Sequence, residues 1–494
     1  MNWPPRPGRR HPVSPAIAPS EDDHTLDGAA KFTLSASIDH QAGPSSAFRK
    51  WWDGRHRDGR FEVTRIPFRE MDSWHFAPDT GNLRHASGRF FTVEGLRVSE
   101  GGAELWSQPI LHQPEIGILG ILAKEFDGVL HFLMQAKMEP GNVNAVQLSP
   151  TVQATRSNYS RVHRGARTRY LEYFLAPRRG SRVLVDVLQS EQGAWFLGKR
   201  NRNMVVQALG DVPDHDDFHW VTIGELRALL AHDNLVSMDA RTVLASIPFT
   251  APRPGDHLAE HRAGPDEAFT GALLRSYAAG GSGALHSRRE VLSWFTEMKA
   301  ACHWRVDLVP LNGVAGWARS ADEIADDGRG GFRILATRVR AGNREVATWS
   351  QPLLAPRGHA AAAFVARSFG GVLHLLVQAR PQPGLRDLVE LAPTVYVPPC
   401  ADPAAAAAAL PFGAEAMTAD PARVRFDTLL SEEGGRFYHA QTRYRVVEAG
   451  DGFPARVPEN YRWLTVRQLM ELVQHGHYLD IEARSLLACV HSLW

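Results

Sequence analysis

The sequence predicts an α+β protein built from two tandem copies of one module. Three observations lead there: a long internal repeat, apolar runs of strand type through the front of each copy, and segregated amphipathic helices at its end. Trp106-Ser-Gln-Pro109 returns as Trp349-Ser-Gln-Pro352, and Phe126-Asp-Gly-Val-Leu-His131 as Phe369-Gly-Gly-Val-Leu-His374. Pro140-Gly141 matches Pro383-Gly384, Leu148-Ser-Pro-Thr-Val152 matches Leu391-Ala-Pro-Thr-Val395, and Ala240-Arg241 matches Ala483-Arg484. Each pair is separated by 243 residues (Trp349 against Trp106), slipping to 241 where Ser190-Glu-Gln-Gly193 meets Ser431-Glu-Glu-Gly434. Such a period is too long for a solenoid and describes one domain copied once.

Within a copy the elements follow in order. A short amphipathic helix opens it, over 45–52 and again over 287–300. Strands are expected over 61–67, 90–98, 115–125 and 128–135, then a polar strand within 144–155, and further strands over 170–175, 182–188 and 195–207. Thr222-x-x-Glu225 is a capping box for the first closing helix, and the second starts near Ser237 with Met238, Val243, Leu244 and Ile247 on one side. The Pro- and Arg-rich residues 1–40 read as a disordered lead-in. Residues 41–252 form the first module, 253–282 a Gly-, Pro- and Ala-containing linker, and 283–494 the second module.

At 494 residues the chain exceeds one ordinary core, and 44% hydrophobic with 22% charged residues describes a soluble globular protein. Lys and Arg total 55 against 54 Asp and Glu, which gives no support to a nucleic-acid or polybasic membrane partner. Cys302, Cys400 and Cys489 are far apart and suit a reducing cytoplasm rather than a disulfide framework. No apolar run reaches membrane-spanning length, and the N-terminus lacks the apolar core of a signal peptide.

The candidate chemistry lies in residues 135–173. Amides and hydroxyls fall on alternate positions there, as a strand facing a sugar or nucleotide would place them. Gln135, Asn142, Asn144, Gln147, Ser149, Thr151, Gln153, Arg156 and Asn158 are the substrate-binding candidates, joined by Arg200, Arg202 and Asn203 as anion ligands. Lys137, Glu139, Tyr159, His163 and Glu172 are the candidates for proton transfer. The second copy has Gln382 for Glu139, Leu385 for Asn142, Ala392 for Ser149 and Tyr396 for Gln153, and no counterpart of residues 156–163. The first module is therefore expected to carry the active site and the second to be vestigial. Trp51, Trp52 and Trp106 could stack on a base, but Trp51 and Trp106 recur in the second copy, which favours a packing role. GxGxxG, GxxxxGK[ST], HExxH and GxSxG are all absent, and no metal or cofactor is expected.

QAKMEPGNVNAVQLSPTVQATRSNY, SEQGAWFLGKRNRNMVV and HDNLVSMDARTVLASIPF strongly resemble the NDP-hexose 2,3-dehydratases of antibiotic deoxysugar biosynthesis. That resemblance implies a dTDP-4-keto-6-deoxy-D-glucose substrate, a homodimer, two Nudix-like modules per subunit and a downstream 3-ketoreductase that consumes an unstable diketone. For that reaction Glu139 or His163 is the expected base and Tyr159 the expected acid, because all three are lost in the second copy, with Lys137, Arg200 or Asn203 beside the enolate oxygen. The alternatives are a sugar-nucleotide-binding protein without catalysis and a Nudix-like diphosphate hydrolase, for which the glutamate-rich metal-binding helix is missing.

Overall fold

The computed structural model describes residues 21–38, 43–59, 61–155, 168–175, 180–250, 267–279, 283–326, 331–342, 346–450 and 452–494. Among them the strands form four sheets, in two pairs that repeat each other. In the first copy a mixed sheet runs in the order Ser181–Ser190, Arg200–Ala208, Gly117–Phe126, Val129–Met138, Phe218–Val221. The short strands Val146–Ser149 and Val152–Ala154 add to Val129–Met138 and Gly117–Phe126. Arg200–Ala208 lies parallel to Gly117–Phe126, with Asn201 opposite Gly117. The second copy repeats this order with Val424–Ser431, Gln441–Glu448, His359–Phe369, Val372–Pro381 and Tyr461–Thr465. The duplication and the mixture of sheets and helices are as the sequence indicates.

The two smaller sheets exchange their first strands. Phe61–Ile66 of the first copy pairs antiparallel with Phe332–Ala341 of the second, Phe61 opposite Ala341. Reciprocally, Arg305–Val309 pairs with Thr92–Glu100, Val309 opposite Gly95. A side chain at Gly95 would stand 2.8 Å from Val309 O and 2.6 Å from a Val314 methyl, so the incoming strand needs glycine there. Each module is thus completed by a strand of the other.

One continuous core joins the copies along the helices Met238–Ala245 and Ile481–Val490, where Val243 and Leu244 share a cluster with Leu486 and Leu487. Two fully buried arginines mark this seam. Arg241 donates to Val236 O at 2.7 Å and across the seam to Ser431 O at 2.8 Å. Its repeat partner Arg484 donates to Ser190 O and, at 2.9 Å, to Thr242 Oγ1. A hydrogen bond from a charged donor is worth about 1.5–3 kcal/mol, and here each arginine fastens its own copy to the other.

Two expectations about order are corrected. Glu21–Ser37, inside the expected disordered lead-in, is a helix. Its Phe32 stacks on Phe132 at 6.0 Å, and Ser35 Oγ donates to Leu130 O at 2.6 Å while accepting from Ile223 N at 3.0 Å. The expected linker holds the equivalent helix, Glu267–Ala278, whose Ser276 Oγ accepts from Val466 N at 2.8 Å. The Pro- and Arg-rich beginning masked a short apolar face of Ala29, Phe32 and Ala36, and the duplication extends upstream of the repeated motifs. Two strand expectations also fail. Glu172–Leu175 is a helical turn, because Tyr170, Leu171 and Phe174 all pack on one side. Residues 195–199 form a loop before the strand Arg200–Ala208, turned by Gly198 at φ +59°. The polar strand is split between Val146–Ser149 and Val152–Ala154, with Pro150 at the break, which has no N–H to give the ladder. Among the described residues no helix is long and apolar enough to cross a membrane.

The repeated Pro-Gly motifs bring backbone against backbone. Gly141 N donates to Gly434 O and Gly384 N to Gly193 O, both at 2.7 Å. A Cβ on Gly141 would stand 1.6 Å from Phe437 O, with no flexible atom to yield. Gly141→Ala should therefore cost about 3 kcal/mol or more and visibly lower the unfolding midpoint. Gly54, inside the helix Ser46–Asp58 with no atom within 4 Å of its would-be Cβ, is the contrast: Gly54→Ala should stabilise by about 0.5–1 kcal/mol. Chemical denaturation of both variants checks the pair.

Candidate active site

The end of Val129–Met138 sets the floor of a cleft of about 740 Å³. Strand alternation sends Gln135, Lys137 and, just past the strand, Glu139 to the same side, into the cleft. Lys137 Nζ lies 2.8 Å from Glu139 Oε1 and donates to Gln153 Oε1 at 2.6 Å, and the Lys–Glu pair is only 8% exposed. Gln153 is a third partner to this buried pair and helps to fix its geometry.

The wall carries more carboxylates than cations. Glu191 follows Ser181–Ser190, its Oε1 accepting from Asn201 Nδ2 at 2.7 Å. Burial raises its pKa, against the pull of Arg484 and Lys199. Asp239, in the first turn of Met238–Ala245, is raised well above the usual range by burial and by the neighbouring Glu433 and Glu191. Glu433, partly open to the cleft, is pushed up to about 7 by burial, with Glu191 and Glu139 adding to the rise. Lys199 falls to about 8 because it is buried; its ammonium donates to Glu115 O at 2.5 Å. The cleft thus holds both acids and an amine whose protonation changes near neutrality.

The other wall is aromatic and comes from both copies. Trp74, Phe90 and Phe91 of the first and Trp349 of the second all line it. Trp74 Nε1 donates to Ser350 O at 2.9 Å. The Arg436 guanidinium lies 4.5 Å from the Phe91 ring and donates to Gln113 Oε1 at 3.2 Å. Gln351 Nε2 holds Gly435 O at 2.7 Å. Arg169 stands exposed at the rim. Among the described residues no group of three His, Cys, Asp or Glu is placed to hold a metal ion.

The family model for NDP-hexose 2,3-dehydratases matches residues 45–247 and again 288–490, one match per copy. The chain belongs to that family. A Saccharopolyspora spinosa protein named dTDP-4-dehydro-6-deoxy-alpha-D-glucopyranose 2,3-dehydratase is 50% identical over 454 residues, covering 91% of this chain and 92% of its own. Proteins of the same name from Streptomyces violaceoruber and Amycolatopsis orientalis are 48% and 44% identical, covering 91% and 97% of this chain and 97% of their own lengths.

For this dehydratase-family chain, the structure brings together part of the expected site. Gln135, Lys137, Glu139, Thr151 and Gln153 line the cleft. Thr151 spends its hydroxyl inside the sheet, accepting from Leu122 N at 2.8 Å and donating to Leu133 O. Thr394 does the same in the second copy, so this hydroxyl is structural in both. Asn142, Asn144, Gln147 and Ser149 do not line the cleft: Asn142 Nδ2 closes a turn on Ala145 O, Asn144 Nδ2 holds Asn234 O, and Gln147 Nε2 reaches Ser431 Oγ at 2.7 Å. Their strand faces the seam between the copies, where amides are needed to pair a buried polar interface. Arg200, Arg202, Asn203 and Glu172 also lie outside the wall. Arg202 pairs with Asp186 on the surface, and Asn203 Nδ2 donates to Thr242 Oγ1 in the core. Arg156, Asn158, Tyr159 and His163 lie outside the described residues. Trp51 donates its indole N–H to Asp216 O and stacks on His219, while Trp106 meets Trp304 edge-on at 5.1 Å, so both pack as the repeat suggested.

Sequence reasoning missed Glu191, Lys199, Asn201, Asp239, Glu433, Arg436, Trp74 and Trp349. Several sit in motifs recognised as repeats, and repetition was taken as scaffold. In the second copy the positions equivalent to Lys137, Glu139, Gln153 and Asp239 hold Arg380, Gln382, Tyr396 and Glu482. Arg380 bridges Asp480 and Glu482 at 2.8 and 3.0 Å, and its guanidinium covers the Tyr396 ring at 4.1 Å.

These placements separate two arginines. Arg202→Ala should leave ligand affinity within about 2-fold and stability within about 0.5 kcal/mol, as for an ordinary surface pair. Arg436→Ala, in the cleft, should weaken binding of an NDP-hexose by about tenfold or more, from loss of a charge-assisted contact. Calorimetric titration of both variants measures the difference.

Proposed function

We propose that the chain removes water across C2–C3 of dTDP-4-keto-6-deoxy-D-glucose, giving a dTDP-3,4-diketo-2,6-dideoxyhexose. The observation carrying this reading is the near full-length likeness to relatives named for that dehydration, with a paired Lys137 and Glu139 at the floor of the cleft. The C4 ketone acidifies the C3 proton, and the Glu139 carboxylate takes it. Lys137, the one of the three expected enolate partners that lines the cleft, supplies the positive charge toward which the C4 oxygen's negative charge develops. When Glu139 accepts the proton it no longer neutralises Lys137, and the ammonium is then matched to the enolate. The electrons return through C3 to expel the C2 hydroxyl, forming the C2–C3 double bond and restoring the C4 carbonyl. The enol at C3 then ketonises, C2 gaining a proton and the C3 hydroxyl losing one.

Trp74, Phe91 and Trp349 offer faces for the nucleobase, and Arg436 and Arg169 offer charge for the diphosphate. The reading extends to Nudix-like modules, a homodimer in a reducing cytoplasm, and consumption of the reactive diketone by a 3-ketoreductase. The modules, the homodimer and the ketoreductase rest on the family resemblance, and the cytoplasm on the three separated cysteines. The second module's site, where Arg380 lies over Tyr396, is taken as vestigial.

The protein mixed with dTDP-4-keto-6-deoxyglucose and a reductive trap should yield, by mass spectrometry, a sugar nucleotide lighter by one water. Recovery of unchanged substrate, or of a nucleoside monophosphate, would refute the dehydratase. Glu139→Gln should lower kcat by about 10²–10⁴-fold, and a variant within 3-fold of the parent rules Glu139 out as the base.

A further inference from the structure

The loops that follow Ser181–Ser190 and Val424–Ser431 are repeat partners, and each one crosses to the other copy's site. Gly193 of the first loop packs on Leu385 and Gln382, a would-be Cβ there standing 2.6 Å from Leu385 Cγ and 3.0 Å from Gln382 Cβ. Gly434 of the second loop packs on Asn142 and Glu139, 2.1 Å and 2.8 Å by the same measure. Leu385 and Gln382 are the second copy's versions of Asn142 and Glu139. The side chain before each glycine is therefore delivered to the opposite site: Gln192 toward the second copy's, Glu433 toward the first copy's. At this position the second copy carries the acid and the first its amide.

Glu433 is held in place rather than draped there. Its predecessor Glu432 is buried and accepts from Gln192 Nε2 and Tyr444 Oη, both at 2.9 Å. Gly434 O accepts from Gly141 N, and Gly435 O from Gln351 Nε2, both at 2.7 Å. Phe437 closes the loop against the Trp195 ring at 4.6 Å. A Cβ at Gly435 would stand 2.5 Å from Glu433 Oε1 and 3.4 Å from Glu139 Oε2. The two carboxylates are thus neighbours across one gap at the cleft floor, separated by no more than those two distances together. Among the described residues no hydrogen bond from the wall occupies the Glu433 carboxyl.

We infer that Glu433, supplied by the second copy, is the general acid that protonates the C2 hydroxyl as it departs from a sugar whose C3 proton Glu139 has taken. This rests on the dehydratase reading above. The balance closes within the pair. Glu139 gains the C3 proton, and Glu433 gives its proton to the leaving hydroxyl, releasing water. As the enol ketonises, Glu139 returns its proton to C2 and Glu433 takes the proton of the C3 hydroxyl. Both carboxyls end as they began, and the net change is loss of one water.

The surroundings suit an acid. Facing Glu433 are Lys137 and Glu139 from the end of Val129–Met138, Glu191 and Lys199 from the turn before Arg200–Ala208, Asp239 from its helix, and Arg436 from its own loop. Burial raises its pKa to about 7, Arg436 and Lys199 opposing and Glu191 and Glu139 assisting. It must be protonated to act, so kcat should fall as pH rises through about 7.

The test separates the two halves of the reaction. With dTDP-4-keto-6-deoxyglucose in D₂O, the parent enzyme exchanges deuterium at C3 and eliminates water. Glu433→Gln, which installs the first copy's own residue, should lose about 100-fold or more in elimination while keeping C3 exchange and substrate affinity within a few-fold. Glu433→Asp should recover part of the elimination and guards against misfolding of the amide variant. Glu139→Gln should lose exchange as well. Elimination by Glu433→Gln at the parent rate would overturn the assignment, and so would equal loss of exchange and elimination with affinity intact. A parent protein that binds but never eliminates would instead sink the dehydratase reading itself.

Discussion

The contact on which this structure depends is backbone on backbone. Each Pro-Gly turn presents a peptide N–H to the carbonyl of a glycine in the other copy's loop, Gly141 to Gly434 and Gly384 to Gly193. Neither side tolerates a Cβ, so the two loops approach as closely as chains can. Around this contact the buried Arg241 and Arg484 reach across to Ser431 and Ser190 carbonyl groups. Gln147 and Ser190 hydrogen-bond to Ser431 and Glu390. The seam is polar and bridged by side-chain hydrogen bonds, which specifies one relative placement of the copies better than an apolar seam could. The cleft inherits that precision, since residues of both copies line it.

Much of the architecture was legible because the two copies annotate each other. Offsets of constant length gave the duplication, and the polar stretch 135–155 pointed to the strand that floors the cleft. Lys137 and Glu139 were found because they share a strand face and differ between copies. Asn144, Gln147 and Asn203 were misplaced for a related reason: a buried seam and a binding site both call for amides, and sequence does not say which surface an amide faces. Glu433 escaped because attention went to the copy that retained polar residues. Residues completing a site from tens or hundreds of positions away leave no local pattern. The helix Glu21–Ser37 was hidden by the Pro- and Arg-rich residues ahead of it.

Duplication followed by divergence left the two sites with the same frame and different contents. In the first, Lys137 pairs with one carboxylate and leaves an open cleft. In the second, Arg380 reaches two carboxylates and covers Tyr396. The longer planar cation and the ring occupy the region that Gln153 leaves open, and the change is one of volume as much as of charge.

The exchange of Phe61–Ile66 and Arg305–Val309 between the small sheets bears on how such a chain arose. A single copy has no place in its own sheet for its first strand and must take one from elsewhere. The arrangement is the one that two identical interlocked chains would have, each lending its first strand to the other. Joining the pair in one polypeptide removed the need for sameness. Only then could one cleft keep its reactants while the other gave up a residue, loop by loop, to serve its neighbour.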